Sequence, residues 1–222
     1  MKKMLMMATV LGLSGLAGAS PFLEKIFKPS LQTLTSRCLG GEEFANVPMP
    51  DFNAPKANVD AWGVIITRYK GGTNIKLFDD NKNTVYLITP AGEFADSCNA
   101  AAKRLEKRPD PLGTITSVSV FGTVGDPKFT QSWNTAIVFE DAVGKEVGRL
   151  KPVVEWKGDP DFWSVSCKGG SCSWYGSNKY VFTVNPQVVE MAKTATKAYV
   201  IVSADFGIKK FELSDKLYPS AE

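Results

Sequence analysis

The chain contains no histidine in 222 residues, and this absence removes several kinds of chemistry at once. Histidine is the side chain whose unperturbed pKa lies nearest to neutral pH, so acid–base catalysis at that pH loses its usual group. Ser-His-Asp and Cys-His catalysis within this chain are excluded for the same reason. Zinc and copper sites that depend on imidazole ligands are excluded as well.

Other common signatures are also missing. The sequence has no G-x-x-x-x-G-K-[ST] or G-x-G-x-x-G phosphate loop and no S-x-x-K motif of Ser-Lys enzymes. Its net charge is only +3, without the basic excess that nucleic-acid binding favours. We therefore predict a protein that is not an enzyme, with no catalytic residues, no cofactor, no metal and no nucleic-acid partner.

Residues 1–19 have the three parts of a secretory signal peptide. Lys2 and Lys3 form a basic start, a short apolar run follows, and an Ala-Gly-Ala cleavage site ends at Ala19. The apolar run is too short to cross a bilayer, which takes about 20 residues. The sequence predicts an extracytoplasmic protein without a membrane span, and this start is typical of bacterial exporters.

Four cysteines, an even number, are typical of disulfide bonding in an exported chain. Only Lys-Gly-Gly-Ser separates Cys167 from Cys172, so we expect these two to bond each other and Cys38 to bond Cys98. A zinc site would lack both histidine and paired C-x-x-C spacing. The chain-entropy model gives about 4 kcal/mol for the long bridge and about 2 kcal/mol for the short one.

The chain divides into a signal peptide (1–19), an N-terminal segment and proline-rich linker (20–58), a small αβ unit (59–110) and a β domain (111–222). In the αβ unit we predict strands at 61–69, 74–78 and 84–88, then a helix that opens at Thr89-Pro90 and ends at 108. In the β domain we predict one helix at 185–195 and strands at 114–124, 134–140, 146–156, 162–167, 172–175, 179–184, 198–204 and 207–213.

This pattern predicts an α+β, mainly β fold, in which a small αβ unit precedes an immunoglobulin-like antiparallel β-sandwich. The likeness is one of architecture, and fold analogy alone does not define function.

The segment 161–180 is the strongest local feature. If Cys167 faces Cys172, then Val165 faces Trp174 and Trp163 lies diagonally beside them on one hairpin face. Serines and Tyr175 occupy the other face. Aromatic anchors of this kind suit protein interfaces and sugar faces. We predict Trp163, Trp174 and Tyr175 as binding residues, with the alternative that the tryptophan face packs on the sandwich core.

Two patterns of acidic and amide residues could indicate further sites. Asp79, Asn81 and Asn83 alternate as in a calcium loop, but Thr84 and Pro90 stand where its glycine and glutamate belong, which favours a hairpin turn. Paired carboxylates can hydrolyse glycosides without histidine. No spacing singles out a pair among the six candidates Glu140, Asp141, Glu155, Asp159, Asp161 and Asp205.

The sequence thus favours an exported, non-enzymatic cell-envelope protein with a binding or structural role toward an envelope protein or a glycan. The alternative is a secreted carbohydrate-active hydrolase that uses paired carboxylates. A third class, a soluble ligand carrier, would need a sizeable apolar cavity.

Overall fold

A computed structural model describes residues 20–31, 34, 74–103, 115–158 and 164–214. Several predictions lie outside these residues: the signal peptide, the linker up to 58, the strand at 61–69 and the end of the long helix beyond 103. The same holds for the side chains of Cys38, Asp159, Asp161 and Trp163.

The described chain has three α-helices, one short 3₁₀ helix and ten strands. The helices are α1 (Pro21–Phe27), α2 (Pro90–Lys103) and α3 (Pro186–Thr194), and the 3₁₀ helix is Pro127–Ser132. The strands are β1 (Asn74–Asp79), β2 (Thr84–Ile88), β3 (Ile115–Val124), β4 (Asn134–Glu140), β5 (Glu146–Leu150), β6 (Val154–Trp156), β7 (Ser164–Lys168), β8 (Ser171–Thr183), β9 (Lys197–Ala204) and β10 (Gly207–Glu212).

The strands form two antiparallel sheets. Sheet A has the order β1-β2-β3-β8-β6, and β7 pairs with β8 on the same side as β6 but nearer the start of β8. Sheet B has the order β10-β9-β4-β5. The predicted fold class, α+β and mainly β with a sandwich of antiparallel sheets, is confirmed.

The core lies between the sheets, because alternate side chains of each strand point inward. Val118 and Val120 of β3 and Tyr180 and Phe182 of β8 meet the inward residues of sheet B there. Helix α1 adds Leu23, Ile26 and Phe27 to this core, and α3 adds Val188 and Ala192. The inner face is therefore closed along β2, β3 and residues 178–182 of β8.

Asn178 is a buried polar residue that ties the 3₁₀ helix and the segment after β6 to sheet A. Its Nδ2 donates to the carbonyl of Thr130 at 2.9 Å, and its Oδ1 accepts from the backbone N–H of Gly158 at 2.9 Å. Burial raises the pKa of the neighbouring Tyr180 to about 12. These contacts hold the end of β6 in place beside β8.

Two strand predictions differ from the structure. The predicted strand 146–156 is two strands, because the chain leaves sheet B after Leu150, crosses at Pro152 and enters sheet A at Val154. Proline lacks the N–H that a continuous strand would donate. Conversely, the predicted strands 172–175 and 179–184 are one strand, since β8 pairs with β3 without a break across Gly176.

The predicted boundary near residue 110 falls between elements that share a sheet. Strand β2 pairs with β3 along its whole length, from Thr84 opposite Phe121 to Ile88 opposite Ser117. Val85 and Leu87 of β2 belong to the same core as the strands of the later segment.

Candidate functional site

Strands β7 and β8 form the predicted hairpin, and the predicted Cys167–Cys172 disulfide closes it. The two Cα atoms lie 4.0 Å apart, and Val165 faces Trp174, as expected from the register. The turn holds Gly169 and Gly170 at φ values of +60° and +81°, a region that glycine enters without steric cost. Lys-Gly-Gly-Ser thus encodes both the turn and the spacing of the bridge.

The structure separates the predicted binding residues. Trp174 follows the inward alternation of β8 and is partly buried against the core, so its ring helps to close the sandwich. Tyr175 points to the outer face and is 51% exposed. Trp163 lies outside the described residues. As the alternation predicted, Trp174 and Tyr175 lie on opposite faces and cannot contact one flat ligand together.

The outer face of β8 carries a row of hydroxyl-bearing side chains. The alternation that buries Asn178, Tyr180 and Phe182 turns five other residues outward. Ser171, Ser173, Tyr175 and Ser177 carry the hydroxyls and form the hydroxyl row, and Lys179 follows at its end. Ser164 and Ser166 extend the row sideways, because they pair with Tyr175 and Ser173.

Four aromatic side chains share this outer face, and we call them the aromatic platform: Tyr86, Phe121, Trp156 and Tyr175. Trp156 is 58% exposed and pairs with Lys179, on the β6 side of the row. Phe121 pairs with Ser177 on the β3 side and meets the Tyr86 ring edge-on at 5.9 Å. Trp156 and Phe121 therefore flank the hydroxyl row on its two sides, and Tyr175 lies within it.

Trp156 is the residue that sequence reasoning missed. It is the last residue of the predicted strand 146–156, and no local motif marks it. Only the switch of the chain into sheet A places it on the outer face beside Lys179.

A buried carboxylate holds Lys179 in place at one end of the aromatic platform. Glu93 of α2 accepts from Lys179 Nζ at 2.9 Å, and the Ser117 hydroxyl donates to the same carboxylate. The Glu93 side chain is 10% exposed and that of Lys179 30%. Lys179 Nζ also lies 5.7 Å from the centroid of the Trp156 ring, within cation–π range.

Helix α2 sets the limit of the open surface. It packs on β2 and β3, and its Glu93 reaches Ser117, so it covers the end of the outer face that lies beyond Lys179. Partial desolvation raises the pKa of Asp96, which is one turn further along α2 and still exposed, and the neighbouring Glu93 carboxylate raises it further. The aromatic platform therefore lies on the part of the outer face that α2 leaves uncovered.

The candidate carboxylates that the structure describes each make a contact within the fold. Glu140 binds Lys210, Glu155 binds Lys157 at 3.1 Å, and Asp205 accepts from the buried Trp133 indole at 2.7 Å. Asp141 caps its own turn through the backbone N–H of Val143 and of Lys145. These side chains are on different elements, and none of these contacts joins two of them.

The Asp79–Asn83 segment is a hairpin turn between β1 and β2. Asp80 Oδ1 accepts from the backbone N–H groups of Lys82 and Asn83, and Asp79 bonds Lys76 at 2.9 Å. Among the described residues there is no group of three or more cysteine, aspartate or glutamate side chains suited to a metal ion.

A surface groove of about 410 Å³ lies where the chain crosses between the sheets. Ala136 and Ile201 line it together with Arg149, Lys151 and Glu155. Two of its charges are already paired, Arg149 with Glu146 and Glu155 with Lys157. A ligand carrier would need an enclosed apolar cavity instead.

Neither protein-family models nor curated proteins show a match to this chain. Within the described ranges, none of the helices has the length and apolar character needed to cross a bilayer.

Proposed function

We propose that this is an exported, non-enzymatic cell-envelope protein that binds a glycan along the outer face of β8. The observation that carries the proposal is the exposure of two large aromatic rings, Trp156 at 58% and Tyr175 at 51%, on the face that bears the hydroxyl row. Large apolar side chains clustered at a surface mark interaction sites more often than isolated ones do.

A glycan fits this face better than a protein partner does. A sugar ring presents apolar C–H groups, which favour the electron-rich face of an aromatic ring, and hydroxyls, which exchange hydrogen bonds with serine. The charge of Lys179, at the end of the face next to α2, is already paired with Glu93. Tyr175 and Lys179 are four positions apart on β8, or about 13 Å, which suits an extended chain more than a single sugar.

Two features support export. The first 19 residues have the composition of a secretory leader. The exposed Cys167–Cys172 bridge is of a kind that persists in oxidising compartments and is rare in the cytosol.

A hydrolase that uses paired carboxylates is the second candidate. Glu93 and Asp96 lie one turn apart on α2, and the raised pKa of Asp96 is the kind of perturbation seen at acid–base sites. Against this, the Glu93 carboxylate already forms an ion pair with Lys179 and accepts a hydrogen bond from Ser117. Turnover of a glycan that Glu93→Gln or Asp96→Asn abolishes would establish the hydrolase.

The test is retention of the mature protein on insoluble glycans, including peptidoglycan, followed by calorimetry with soluble fragments. We expect Trp156→Ala and Tyr175→Ala each to weaken binding at least tenfold. Phe129→Ala is the matched control, since this aromatic residue is 59% exposed but belongs to the 3₁₀ helix and to none of the strands that carry the aromatic platform. No retention on any glycan, together with Trp156-dependent capture of an envelope protein, would replace the glycan with a protein partner.

A further inference from the structure

The tip of the β7–β8 hairpin extends beyond sheet A. The pairing of β8 with β3 ends at Trp174, so Ser171, Cys172 and Ser173 are paired only with β7 among the described residues. Every residue of β7 is exposed. The tip is therefore a two-stranded ribbon that the turn and the disulfide hold together.

The cysteines differ sharply in accessibility. Cys167 and Cys172 are both exposed at this tip. Cys98 is also disulfide-bonded, but it is 2% exposed and packs with Leu34, Ala91 and Phe94. A thiol in solution can therefore reach the sulfurs of the hairpin without any opening of the core, whereas the residues packed around Cys98 shield its sulfur.

We propose that Cys167–Cys172 is a thiol–disulfide exchange site whose reduction weakens ligand binding to the hydroxyl row. The partner is a dithiol, either a small molecule or a dithiol oxidoreductase. One thiolate of the dithiol attacks one sulfur of the bridge and forms a mixed disulfide. The second thiolate then resolves this intermediate, so the dithiol is oxidised to a disulfide while Cys167 and Cys172 become two thiols. This regulatory role rests on the proposed glycan binding, whereas the exchange chemistry does not.

The consequence for the ligand follows from the position of the bridge. Ser164 and Ser166 of β7 and Ser171 and Ser173 of β8 are the hydroxyls nearest to the bridge. Tyr175 stays in place, because it also pairs with Thr123 of β3. Reduction removes the cross-link that closes this short loop. In the chain-entropy model, the population of the locally opened ribbon then rises on the order of 30-fold. We expect the affinity for a glycan to fall three- to tenfold, less than on removal of an aromatic ring.

The first experiment measures exchange on the native full chain. The protein is treated with increasing dithiothreitol, trapped with iodoacetamide and mapped by mass spectrometry. Alkylation of Cys167 and Cys172 at least tenfold faster than that of Cys98 is expected. Equal rates, or protection of the hairpin cysteines until the protein unfolds, would overturn the exchange site.

The second experiment measures the consequence. Hydrogen exchange at residues 164–173 should rise about 30-fold in the reduced protein and in the Cys167→Ser/Cys172→Ser variant, while that of β3 stays unchanged. Glycan affinity is compared in the same samples, and an unchanged affinity would overturn the regulatory role. An oxidised protein that binds no glycan contradicts the proposed function instead, and the alkylation and hydrogen-exchange results still decide the exchange site.

Discussion

The interaction of Glu93 with Lys179 and Ser117 allows a quantitative test, because its removal affects both stability and the aromatic platform. Glu93→Ala leaves the fully buried Ser117 hydroxyl and the Lys179 ammonium without this acceptor. Removing one partner of a buried ion pair costs about 3–5 kcal/mol. Since the Lys179 side chain is 30% exposed and can turn toward water, we expect about 2–3 kcal/mol.

Matched variants separate charge from shape. Glu93→Gln keeps the volume and an oxygen that can accept from Ser117, so it should cost about 1–2 kcal/mol. Lys179→Met leaves the buried carboxylate unpaired. The double variant Glu93→Gln/Lys179→Met should therefore lose less stability than the sum of these two single variants, with a coupling free energy of about 1 kcal/mol.

The assay is urea unfolding of the mature protein at pH 7, followed by tryptophan fluorescence. The control is Glu190→Gln, which removes an exposed pair with Lys193 and should change the free energy of unfolding by less than about 0.5 kcal/mol. Lys179→Met should also shift the emission of the native state, because the Lys179 ammonium lies 5.7 Å from the Trp156 ring. A Glu93→Ala cost below about 0.5 kcal/mol, or strictly additive single variants, would refute this account.

Three further predictions concern the scaffold and its pH dependence. Gly122→Ala should cost about 1–3 kcal/mol in urea unfolding, because the added Cβ would lie 2.4 Å from the buried Trp133 ring, and a cost near zero would contradict the packing. Asn185→Ala should cost about 1 kcal/mol in the same assay, since its side chain caps α3 by accepting from the backbone N–H of Val188 at 3.0 Å, and an unchanged free energy of unfolding would contradict the cap. The pKa of Asp96 is raised in the native state, so its ionisation opposes folding as pH rises through that pKa. Asp96→Asn should therefore raise the melting temperature at pH 7 but not at pH 3. Equal effects at both pH values would show that ionisation of Asp96 is not responsible.

The sequence by itself determined the local elements. Thr89-Pro90 marked the start of α2, Asn185-Pro186 marked the start of α3, and the alternation in 179–184 marked a strand. The Cys167–Cys172 bridge was equally readable, because a four-residue spacer with two glycines can close only a tight hairpin. These features depend on caps, turns and neighbours within a few residues, so the sequence contains the whole cause.

Only the tertiary structure decided which side chains face the core and which face solvent. The pairing of β8 with β3 joins residues about sixty positions apart, and it makes one strand of two predicted ones. The crossing at Pro152 carries Trp156 into sheet A, onto the side of β8 that is open to solvent. The same pairing turns Trp174 toward the core and Tyr175 away from it, so the aromatic platform differs from the predicted tryptophan face. Strand alternation predicts that neighbours point to opposite sides, but long-range pairing alone determines which of those sides is covered.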